Sequence, residues 1–148
     1  MRLKNHQFAA FALAAGMSAC WPTRATTNWL TLVGNPRDAA VSTIEVYALP
    51  VVVSDNLRSL DIRVNRDQQS LSSEGIPFRS YSATILVDCY ENKARFTTAA
   101  FYMTPLWEGT PHKIASWSAA QVRPVLFRNF DPNPRDKIIR AACRILSR

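Results

Sequence analysis

Apolar and polar residues alternate with a period of two along much of the chain, and the period changes to that of a helix near its end. The clearest alternation runs from Phe78 to Cys89, where Tyr81, Ala83, Ile85, Val87 and Cys89 fall on one face and Ser80, Ser82, Thr84 and Asp88 on the other. That is the pattern of a half-buried strand. Shorter strand-like runs precede it at Trp29–Val33, Ser42–Ala48, Val51–Val53 and Leu60–Val64. Pro50 cannot donate to a sheet ladder and is expected at an edge, at a bulge or between two short strands. The stretch Asn65 to Gly75 is polar and non-periodic, so it reads as a mobile loop.

After Cys89 the residues Glu91-Asn92-Lys93 predict a tight hairpin turn, because Asn tolerates the left-handed conformation. A return strand follows from Ala94 to Met103. Whether the two turn residues are Glu91-Asn92 or Asn92-Lys93, parity places Ala94, Phe96, Thr98, Ala100 and Tyr102 on the side of Cys89. Beyond the Trp107–Pro111 loop, His112–Trp117 reads as another strand and Gln121–Phe127 as an apolar stretch interrupted by Pro124. Asp131-Pro132-Asn133-Pro134 is a helix start, with Asn133 as N-cap, Pro134 at the first helical position and Asp136 in the first turn. Ile138, Ile139, Ala142, Cys143, Ile145 and Leu146 then form one stripe, and Lys137, Arg140, Arg144 and Arg148 another. Both Cys89 and Cys143 are therefore expected to face inward, one from a strand and one from a helix.

The first residues change the picture of where this domain resides. Arg2 and Lys4, with no acid, precede the apolar run Phe8–Met17 and the small residues before Cys20, which is the layout of a secretory signal peptide. A buried N-terminal helix is the alternative, but the run has no polar stripe. Met17-Ser18-Ala19-Cys20 resembles a bacterial lipobox, with Met17 in place of the usual Leu, so Cys20 is expected to be lipidated and to begin the mature chain. Its alternative is a cysteine in a discarded peptide. The resulting plan is a lipoprotein-type signal at 1–19, a tether at 20–27 and a single domain at 28–148. No apolar run reaches the roughly 18–20 residues of a spanning helix.

Export places Cys89 and Cys143 in an oxidising compartment, where they most simply pair, two separate buried thiols being the alternative. The predicted fold class is α+β: an antiparallel β-sheet with a C-terminal α-helix packed on one face and tied to it by a disulfide. Length and composition agree with one domain, at 148 residues and 47% apolar content. Pairing also removes both cysteines as nucleophiles or metal ligands. With His6 in the leader, His112 is the one imidazole of the mature chain, and no nucleotide, metal or hydrolase signature motif occurs. No catalytic residue, metal or cofactor is expected.

With these pieces in place the chain resembles the surface-adhesin protein E family of Gram-negative bacterial envelopes. The matching parts are Asn28-Trp29-Leu30-Thr31-Leu32-Val33-Gly34, the strand Ser82–Cys89 with Asp88-Cys89 before a charged turn, the return strand Lys93–Tyr102, and Ile138-Ile139-Arg140-Ala141-Ala142-Cys143. They span roughly Asn28 to Cys143. The resemblance implies a secreted or lipid-anchored domain, an antiparallel sheet with a C-terminal helix held on it by a disulfide, and, as for the family's namesake, adhesion to host extracellular proteins.

The functional expectation is a non-enzymatic cell-envelope lipoprotein, a binding or adhesin-like module at the outer membrane, in the periplasm or at the cell surface. The net charge of +7 draws attention to the basic stripe Lys137, Arg140, Arg144 and Arg148, with Arg123, Arg128 and Arg135 nearby in sequence. Such a field would steer host proteins, anionic glycans or lipid phosphates, and the bland alternative is the solvated face of an amphipathic helix. Other readings are a periplasmic structural or ligand-binding domain without adhesin activity, a nucleic-acid binder, or a small hydrolase using Asp88, Glu91 or His112. The nucleic-acid reading rests on basic charge and on pairs such as Arg95-Phe96, Phe127-Arg128 and Phe78-Arg79, without a recognition motif, and export argues against it. The hydrolase reading lacks a positioned partner for any of its three residues. Trp29 and Trp117 are expected in the core. Trp21 suits the anchor interface, and Trp107 is open between an exposed anchor and the core.

Overall fold

The alternating segments assemble into one antiparallel sheet. A computed structural model describes residues 28–144; the signal, the tether with Cys20 and Trp21, and Arg148 lie outside the described residues. The elements are β1 (Trp29–Val33), β2 (Thr43–Tyr47), β3 (Val51–Val52), β4 (Leu57–Leu71), β5 (Pro77–Asp88), β6 (Lys93–Tyr102), β7 (Lys113–Ser116) and α1 (Arg135–Cys143). The strand order is β1-β2-β4-β5-β6-β7, with β3 paired to β4 as well. Pro50 falls in the break between β2 and β3, as its missing N–H requires. Among the described residues no helix is long and apolar enough to cross a membrane.

Cross-strand pairing sets the apolar face. Leu60 lies opposite Ile85, Ile62 opposite Ala83 and Val64 opposite Tyr81, while Ile44 and Val46 lie opposite Val64 and Ile62. Onto this face α1 packs Ile138, Ile139 and Ala142, all buried. The helix starts one residue later than expected: Pro134 is the N-cap, its carbonyl accepting the Ile138 N–H at 3.0 Å, and Asn133 Oδ1 accepts the Arg135 N–H at 3.0 Å just ahead of it. Cys89 and Cys143 form the predicted disulfide, with Cα atoms 5.6 Å apart, so the helix is tied to the end of β5.

Three local expectations are corrected. The segment Asn65–Gly75 is not a free loop, because β4 continues through it to Leu71. Register passes from Asn65 opposite Ser80 to Ser70 opposite Phe78, so β4 bulges there. A bulge destroys alternation, which is why the pattern looked like coil. Asn65 itself is fully buried and donates from Nδ2 to the Ala39 and Val41 carbonyls.

The second correction concerns β6. Ala94 and Phe96 lie opposite Val87 and Ile85 as parity requires, but register shifts between Thr84 and Ile85, leaving Thr97 as an extra residue. Its hydroxyl donates to the Thr84 carbonyl at 3.0 Å. Past that bulge the faces exchange, so Ala99 and Phe101 are buried, at 3% and 5% exposure, in place of Ala100 and Tyr102.

The third is the hairpin, whose loop has four residues, Cys89 to Asn92, between paired Asp88 and Lys93. Asn92 has φ 53°, the left-handed conformation expected of it. Asp88 Oδ1 accepts the N–H groups of Tyr90 and Glu91, both at 3.0 Å, and so closes the loop.

Candidate functional site: an aromatic cleft beside the helix

A nine-residue helix is about 14 Å long at 1.5 Å per residue. A strand such as β5, with twelve residues, runs for about 40 Å. The helix, fixed at the Cys89 end, therefore covers only part of the apolar face. At the other end Val64, Phe78, Tyr81, Phe96, Ala99 and Phe101 line a cleft of about 570 Å³.

The cleft's outer wall is the chain between β7 and α1. This chain extends the β6 edge, with Phe96 N–H donating to the Arg123 carbonyl at 2.8 Å and Val125 N–H to the Ala94 carbonyl at 2.9 Å. It then turns through Phe127, whose φ of 42° is a strained value for a bulky side chain, and places the Phe127 and Phe130 rings edge to face at 6.0 Å.

The ring system inside is continuous. Phe78 meets Tyr81 and Phe101 at centroid distances of 5.4 and 5.6 Å, Tyr81 meets Phe96 at 6.2 Å, and Phe96 meets Trp117 at 6.2 Å. These separations are those of favourable tilted and edge-on pairs. Burial raises the Tyr81 phenol well above its ordinary range, against a smaller opposing effect of Arg66, so the group keeps its proton.

Charge is confined to the rim. Glu74 Oε1 accepts from the Trp117 indole N–H and from Arg123 Nε, each at 2.8 Å. The indole bond first, then the guanidinium, holds the Glu74 carboxyl below its ordinary value. Arg66 lies 4.6 Å from the Phe130 ring centroid and donates to the Asn129 carbonyl at 3.4 Å. Arg128 is exposed on the same rim. Among the described residues neither Arg66 nor Arg128 forms a salt bridge, and the charge of Arg66 is also felt by the carboxyl of its neighbour Asp67.

The residues singled out in the sequence are distributed differently. Lys137 and Arg140 are exposed on α1 and Arg144 is exposed at its C-cap, whereas Arg123 and Arg128 belong to the cleft. Arg135 reaches from the start of α1 to donate to the Asn92 carbonyl at 2.9 Å. His112 is exposed in a loop, Asp88 closes the hairpin, and Glu91 pairs with Lys93 at 2.8 Å. Among the described residues no group of three or more His, Cys, Asp or Glu could hold a metal ion. Trp29 and Trp117 are half-buried. Trp107 is also half-buried, and its indole N–H donates to the Val64 and Tyr81 carbonyls at 3.2 and 3.0 Å.

The sequence reading missed the cleft because its two walls, the β4 bulge and the Gln121–Phe130 chain, lack periodicity. One signal was present: β5 and β6 carry more aromatic surface on one face than a short C-terminal helix can cover. The chain matches no family model, and no curated protein or solved structure is detectably similar to it.

Proposed function

We propose that the chain is an exported, non-enzymatic binding module of the bacterial cell envelope, anchored to a membrane through Cys20, with the aromatic cleft as its binding seat. The observation that carries this reading is the cleft itself, about 570 Å³ of ring-lined space beside a covalently tied helix. Seats for small ligands commonly have roughly 300–1,000 Å³ and mostly apolar walls. The Glu74 carboxylate, the acid of the cleft lining, is engaged by Trp117 and Arg123, which suits holding a ligand better than moving protons.

The disulfide supports export, since such bonds persist in oxidising compartments. We further propose a second role for the exposed basic residues Lys137, Arg140 and Arg144, contact with host proteins or anionic glycans, which their positive field would steer. The test is to express the full chain with its leader and to fractionate the cells. The parent is expected in the membrane fraction and Cys20→Ala in the soluble periplasmic fraction. A reduced, cytoplasmic parent protein would overturn the reading.

A further inference from the structure

We propose that the cleft takes a single-chain amphiphile with an anionic head, of the fatty-acid class, its chain against Phe78, Tyr81 and Phe101 and its carboxylate at Arg66 and Arg128. This rests on the reading of the cleft as a binding seat and adds the chemistry of what sits in it.

Charge decides the head. Three arginines and one glutamate line the cleft, and the glutamate is already paired with Arg123. Two cations are left outside any salt bridge among the described residues, Arg128 and, beside Asp67, Arg66. They lie on the same stretch of rim, because Arg66 donates to the carbonyl of Asn129, the neighbour of Arg128. A guanidinium is the side chain best matched to a carboxylate, and at the border of an apolar cavity it remains hydrated until an anion replaces its water.

Ring geometry decides the body. Phe78 and Tyr81 are inclined by 79°, Phe78 and Phe101 by 52°, and Tyr81 and Phe101 by 49°. No two of these rings form the parallel faces that would sandwich a flat aromatic ligand. A flexible acyl chain can follow tilted walls, and each methylene removed from water contributes about 0.8 kcal/mol. The volume suits one chain better than the two of a diacyl lipid.

The experiment uses the full mature chain, oxidised and without detergent, titrated with laurate, dodecanol and dodecyltrimethylammonium below their aggregation thresholds. Calorimetry and tryptophan emission report binding. Laurate is expected to bind at least tenfold more tightly than dodecyltrimethylammonium. Arg128→Gln, at an exposed position, is expected to weaken laurate about tenfold and to leave dodecanol unchanged. Equal affinity for all three probes, or none for laurate, would overturn the proposal. So would tighter binding of naphthoate, which would assign the cleft to flat acids, or of a lysophospholipid, which would assign it to phosphate heads. The head-group series needs no variant, so it stands even if a substitution disturbs folding. Failure of laurate with the parent still in the envelope would remove this proposal alone, and a cytoplasmic parent that binds laurate would remove only the export reading.

Discussion

Arg63 donates from Nε to Glu45 Oε2 at 2.6 Å, directly across the β2–β4 pair, with the Glu45 side chain only 4% exposed. The guanidinium lies 4.4 Å from the Trp29 ring centroid and 4.3 Å from that of Trp107. One planar cation thus joins the edge strand β1, the centre of the sheet and the turn after β6. Lysine keeps the charge but loses the planar stacking. Arg63→Lys is expected to cost about 1–2 kcal/mol, and Arg63→Met about 3 kcal/mol, because it strands a buried carboxylate. Urea unfolding measures both, and a lysine variant as stable as the parent would refute the stacking contribution.

Gly34 is required at the end of β1. Its φ is +80°, and a Cβ placed there would come within 2.3 Å of the Ser42 carbonyl oxygen and 2.8 Å of the Thr43 Cα. Those atoms are backbone of the neighbouring strand and cannot turn aside. Gly34→Ala is expected to destabilise the domain by more than about 2 kcal/mol, read as a fall in Tm. Gly75→Ala, where the added carbon meets nothing within 4 Å although φ is +76°, separates the conformational cost from the clash.

The Cys89–Cys143 bond closes a sequence separation of 54 residues. In the chain-entropy model such a loop corresponds to about 4 kcal/mol. A Cys89→Ala/Cys143→Ala variant is expected to lose about that much, with the sheet retained and α1 released first. Hydrogen exchange on α1 relative to β4 and β5 checks the order, and a uniform loss of protection would contradict it.

Glu74 gives the cleft a pH response. Its carboxyl is held below the ordinary value of 4.5 by the Trp117 indole and by Arg123. A depressed carboxyl contributes stability that is fully present above its unfolded value and is lost as pH falls through its folded value. Emission from Trp117 is therefore expected to be constant from neutrality down to about pH 5 and to change below the ordinary carboxyl value. Glu74→Gln should abolish that step. A step that survives the substitution would assign the transition to another acid.

The elements differ in how far they could be read from the chain. The β5 alternation, the helix start to within one residue and the inward faces of Cys89 and Cys143 were legible because each depends on local periodicity or on a short start pattern. The β6 assignment was right for Ala94 and Phe96 and reversed beyond them, because Thr97 adds one residue and parity counts cannot sense a bulge. Asn65 looked like loop because its reason for being polar lies far away, in the carbonyls of Ala39 and Val41 and the N–H of Leu106, which its Oδ1 accepts at 2.9 Å.

By itself the amino-acid order determined an antiparallel sheet, a terminal helix and the staple between them, since those follow from side-chain period and from parity over short runs. Only the tertiary structure decided where the apolar face is left uncovered. The cleft is the difference between a long twin-strand face and a short helix fixed at one end, and its charge arises where Arg66, Glu74, Arg123 and Arg128 converge from segments distant in sequence. Such convergence depends on register shifts and chain reversals, which alternation along a single strand does not encode.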